Sequence, residues 1–167
     1  MNHAVETISL SDFLCHGELG SIKTGMSLKQ FYNIMDKPDD ISLTRLPIWK
    51  YGTVEFGFSN AKDSPILDFI GIYFQNHNNI PVSFPSRFCL NQWWPNDNTT
   101  LDELLFQIKE LNIPVYPDEL LTFDTQVAYR TLIGVSIVFD VRNSDVIIDS
   151  IQYRNKNIAE NREENSL

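Results

Sequence analysis

Glycine, histidine and cysteine are scarce in this chain of 167 residues, at seven, three and two. The glycines build no phosphate loop, because Gly17-Glu18-Leu19-Gly20 lacks both the Lys and the helix start that cradle a phosphate, and nucleotide binding is not expected. His3, His16 and His77 show none of the spacings that set two imidazoles on one metal, so neither a metal nor another cofactor is expected. Cys15 and Cys89 are too few for a disulfide framework and read as buried thiols. Cys15 beside His16 is no nucleophile and base, since side chains adjacent in sequence diverge. Basic charge is also short, with 13 Lys and Arg against 22 Asp and Glu and a formal charge of -9, which argues against a nucleic-acid surface. No apolar run approaches the roughly 18 residues of a membrane helix. The first 14 residues carry His3, Glu6 and Asp12 and no basic head before an apolar run, so the expected compartment is the cytoplasm.

What the chain does contain is 43% hydrophobic and 12% aromatic residues, enough to fold as one domain. Ser27-Leu28-Lys29-Gln30 is a capping box, and Leu28, Phe31, Ile34 and Met35 continue it at helical spacing until Pro38. Residues 48–51, 54–58 and 66–74 alternate as strands do. A second capping box, Thr100-Leu101-Asp102-Glu103, opens a helix that ends at Pro114, and strands are predicted over 127–133, 135–141 and 146–153. A constant offset of 81 pairs Val54 with Val135, Phe58 with Phe139, Ile66 with Ile147, Asp68 with Asp149 and Ile70 with Ile151. The fold expected is therefore α+β: two tandem units, each a helix plus three antiparallel strands, docked into one domain. The boundaries are an N-terminal unit at 1–75, a connector at 76–99, a C-terminal unit at 100–153 and a disordered tail at 154–167.

Gly25-Met26-Ser27, Pro38-Asp39-Asp40 and the aromatic strand Ile48-Trp49-Lys50-Tyr51 resemble the helix-plus-three-strand unit of the small outer-membrane-assembly lipoproteins. Here Asp36-Lys37-Pro38 replaces the usual Gly-x-Pro, and no lipobox Cys is present. The doubled unit is similar to the tandem fold of the beta-lactamase inhibitory protein, whose concave sheet grips an enzyme. Leu10 to Asp40 also resembles a family of uncharacterised bacterial cytosolic proteins, and by analogy the likeness implies an immunity partner of a toxin.

Charge is unevenly spread: residues 97–153 carry three basic and ten acidic side chains, against seven and nine in residues 1–96. Asp118, Glu119 and Asp124 are the candidate partner-binding acids, with Trp93, Trp94 and Tyr116 as aromatic anchors. A competing reading has one of the paired indoles plug the core. The expected function is occlusion of a basic partner, a toxin enzyme such as a nuclease, by a protein that is not itself an enzyme. The alternatives are an interaction module with another partner, or a hydrolase using Asp68, Asp149 or Asp124. No catalytic residue is assigned.

Overall fold

The computed structural model describes residues 5–42, 47–61, 64–75, 81–142 and 145–160. The strand β1 (Glu6–Ser9) leads directly into α1 (Leu10–His16), capped by the Ser9 hydroxyl and closed by Gly17 in the left-handed region. A side chain at Gly17 would run into the Tyr153 ring, so the helix end lies flat on that aromatic. Helix α2 (Leu28–Tyr32) starts at the Ser27–Gln30 capping box, and β2 (Asp40–Ser42), β3 (Ile48–Tyr51), β4 (Val54–Ala61) and β5 (Ser64–Tyr73) follow. After β6 (Phe88–Asn91) come α3 (Leu101–Glu110), with the Thr100–Glu103 capping box, then β7 (Val115–Pro117), β8 (Gln126–Thr131), β9 (Ser136–Arg142), β10 (Asp145–Arg154) and α4 (Lys156–Glu160).

The tandem expectation is overturned. One continuous antiparallel sheet of eight strands, in the order β2-β3-β4-β5-β10-β9-β8-β7, replaces two units of three, and β1 and β6 form a separate parallel pair. Two short strands missed in the sequence, β2 and β7, are the outer edges of the large sheet. The physical reason for the single sheet is backbone satisfaction: β5 and β10 pair over Phe69–Tyr73 and Ser150–Arg154, so neither leaves a long row of unpaired N–H and C=O groups. The likeness to the lipoprotein unit, to the beta-lactamase inhibitory protein fold and to immunity-type proteins falls with the repeat. Within the expected connector, β6 pairs with β1 near the chain start.

The main core cluster lies on one side of the sheet. Phe31 of α2 packs edge-on against Trp49, Tyr51, Phe56 and Phe58, while Leu104 and Ile108 of α3 join Ile137, Phe139, Ile148 and Ile151 in the same cluster. Phe69, Ala128 and Val138 are buried yet stand outside this cluster, on the opposite face. That face carries a row across all eight strands, Asp40, Lys50, Glu55, Gly71, Gln152, Ser136, Arg130 and Tyr116. A mostly polar row opposite an apolar one is the mark of an antiparallel sheet covered on one side.

Each seam strand carries a bulge. Leu67 pairs with Phe58 and Phe69 with Gly57, leaving Asp68 as the extra residue; Ile148 pairs with Phe139 and Ser150 with Val138, leaving Asp149. Strict alternation, which would set Asp68 beside Ile66 and Ile70, is broken there, and Leu67 and Ile70 share the core face instead. The thiols also depart from expectation: Cys15 and Cys89 are both exposed. His3 and His77 lie outside the described residues. Of the expected disordered tail, Arg154 ends β10 and residues 156–160 are helical, while 161–167 lie outside the described residues. Among the described residues no helix is long and apolar enough to cross a membrane.

Candidate functional site

Register gathers the acidic residues at one end of the sheet. Thr100, the cap of α3, bridges to Ile147; Ile147 pairs with Asp140, Asp140 with Gln126, and Gln126 bridges to Phe123. At about 4.8 Å per strand, Thr100 and Gln126 stand only ~14 Å apart. This row brings together Asp102 and Glu103 at the start of α3, Asp145 and Asp140 on the β9–β10 hairpin, and Glu119 and Asp124 in the loop 118–125. Arg142 offsets part of the charge through its ion pair with Asp140.

The loop 118–125 holds its shape through internal bonds. The Thr122 hydroxyl donates to the Asp118 carbonyl and accepts from the Ala128 amide, the Leu121 amide donates to the Asp118 carbonyl, and Gln126 Nε2 donates to the Leu121 carbonyl. These bonds fix the loop, while Leu120 stays 85% exposed and Phe123 56%. Apolar residues presented in a loop this tightly bonded are the kind of exposed surface that binding sites use.

The six sequence candidates separate. Asp118 is buried at 3%; it lies 3.6 Å from Arg130 Nε and accepts from the Leu120 amide, so its carboxylate serves the loop. Glu119 and Asp124 are exposed beside Leu120 and Phe123, and Tyr116 is exposed on edge strand β7. Trp94 is buried against Phe84, with ring centroids 5.0 Å apart, and its indole N–H has no partner among the described residues. Trp93 is half-buried and lines a cavity of about 540 Å³ with Phe106, Asp102 and Glu103. Leu120, Phe123 and Phe106 were missed in the sequence. Their only signal was an apolar side chain in a polar loop or off the apolar stripe of α3.

Asp68 and Asp149 sit at opposite ends of the β5–β10 seam. The Asp68 carbonyl accepts from the Asn155 amide and the Asp149 carbonyl from the Phe74 amide. Six residue steps along the strand lead from Asp68 to Phe74, so the two aspartates lie about 20 Å apart, beyond the ~5–9.5 Å at which two carboxylates act on one bond. Burial raises the Asp149 carboxyl, against the Ser150 hydroxyl donated to it and with Asp140 adding to the rise. Tyr73, on the same face, is pushed up to about 12, first by burial and then by Glu55 and Asp149. Among the described residues no group of three His, Cys, Asp or Glu side chains could hold a metal ion.

Comparison with protein-family models, with curated proteins and with solved structures finds no match.

Proposed function

We propose that this protein binds another protein, using the acidic end of its sheet to cover a basic surface. The observation that carries the reading is the pairing row from Thr100 to Phe123, which sets exposed Leu120 and Phe123 among Glu119, Asp124, Asp140 and Asp145. Apolar groups supply contact area and the surrounding negative field supplies rapid association with a cation-rich surface. Strand addition at the neighbouring edge is the weaker mode: β7 has three residues and ends in Pro117, which has no N–H to donate. Where the basic surface is the substrate cleft of an enzyme, such as a nuclease toxin, coverage is inhibition.

The test places a photo-crosslinking amino acid at position 120 or 123 in the native cell, then measures binding between the purified captured protein and this chain. A basic partner is expected, with an association rate that falls as salt rises and falls again in the Glu119→Lys/Asp124→Lys variant. A partner whose rate is indifferent to both would overturn the reading.

A further inference from the structure

Phe106 does no work in the core. Leu101, Leu104, Leu105, Ile108 and Leu111 form the apolar stripe of α3, and Phe106 lies off it, 59% exposed. Four residues earlier on the same helical face is Asp102, whose carboxylate has no ion-pair or hydrogen-bond partner among the described residues. Both line the 540 Å³ cavity with Trp93, and Asn96, Asn98, Thr99 and Gln107 are among its other polar lining residues.

The lining selects by charge. Two aromatic side chains and two carboxylates line it, and among the described residues no Lys or Arg does. The start of α3 contributes roughly +0.5 of a charge, which the carboxylates of Asp102 and Glu103 outweigh about fourfold. Hydrogen bonds from the Thr100 amide and hydroxyl hold the Glu103 carboxyl below its usual range, so its charge persists through mild acid. An anion is excluded, and a neutral ring would leave the carboxylates unanswered. A guanidinium is planar enough to stack on an indole or phenyl face and has donors for the carboxylate and amide oxygens.

We propose that the cavity between Trp93 and Phe106 receives an arginine side chain, which, resting on the protein-binding reading above, is one presented by the basic partner. Because the Thr100–Phe123 row sets the α3 start and the loop 118–125 at the same end of the sheet, with Thr100 and Gln126 ~14 Å apart, one partner surface can reach both.

The experiment needs no partner. The peptide acetyl-Gly-Arg-Gly-amide, and the same peptide with citrulline, arginine's neutral isostere, are titrated into the ¹⁵N-labelled full chain. The expected result is a saturable shift of the Trp93 indole signal with Trp94 unmoved, and binding of citrulline weaker by about tenfold or more. Asp102→Asn and Phe106→Leu should each weaken arginine binding by about three- to tenfold; Phe106→Leu keeps apolar bulk and removes only the π face. No saturable shift, an equal response to citrulline, or binding unchanged in both variants would overturn the assignment. Arginine binding without a basic partner captured at 120 or 123 would sink the protein-binding reading and leave the cavity's specificity standing. A basic partner captured there without arginine binding would do the reverse.

Discussion

Asp68 and Asp149 occupy corresponding places in neighbouring strands: each is the extra residue of a β-bulge, the first in β5 against β4 and the second in β10 against β9. A bulge frees one residue from strict alternation, which is how a carboxylate enters an otherwise apolar stretch without turning the rest of the strand over. The shared Ile-x-Asp-x-Ile pattern is thus the imprint of two bulged strands meeting in one sheet.

The Asp149 bulge predicts a pH effect. Its carboxyl is raised in the fold, by burial first, so between the ordinary aspartate range near about pH 4 and its raised value the folded state holds more proton than the unfolded chain. Stability contributed by the neutral form is full below the unfolded value and falls as pH rises through the folded one. Asp149→Asn should therefore melt higher than the parent at pH 7, with the difference shrinking toward about pH 3. A variant that melts lower at pH 7 would contradict the assigned cause.

Asp118 and its neighbours should respond unequally to mutation. Asp118→Ala removes the partner of Arg130 and the acceptor of the Leu120 amide, and is expected to cost about 1–3 kcal/mol in urea unfolding. Glu119→Lys with Asp124→Lys, both exposed, should stay within about 0.5 kcal/mol of the parent per site. Equal losses in the two variants would mean that Asp118 is not a loop anchor.

Gly71 lies beneath two rings. A Cβ there would sit 2.8 Å from Phe69 Cζ and 2.9 Å from Tyr73 Cε2, and the Arg154 guanidinium carbon lies 5.0 Å from the Phe69 ring centre. Gly71→Ala is expected to cost about 1–3 kcal/mol through displaced rings. Adding Phe69→Leu should recover part of that loss; strictly additive losses would show that the ring is not what resists the methyl.

Two caps give a fourth measurement. Ser27→Ala and Thr100→Ala each remove a hydroxyl that accepts a helix N–H, and each should cost about 1 kcal/mol. Ser27 bridges to Ile66 at the start of β5 and Thr100 to Ile147 at the start of β10, at opposite ends of an antiparallel seam, so the losses should add. Guanidinium unfolding of the double variant checks the sum.

Features closed within a few residues were legible in the chain. Both capping boxes and the hairpin around Gly134 rest on bonds between near neighbours, so residue type and spacing specified them; helix α2, expected to run through Met35 to Pro38, instead ends at Tyr32 with Asn33 as its cap. The surplus of acid after residue 96 was legible too, but as a count; only strand register placed its members at one end. Asp118 reads like Glu119 until Arg130 comes beside it across the sheet edge, and Trp93 reads like Trp94 until Phe84 buries one of them.

The residues alone determined the local elements and the sign of the charge, because these depend on side-chain chemistry and on periods of two and 3.6. The tertiary structure decided that β5 joins β10, that β2 and β7 extend the sheet at its edges, and that β1 pairs with the distant β6. Those choices rest on which backbone groups remain unpaired when an apolar face closes over the helices, a property of the assembled chain that no short window contains.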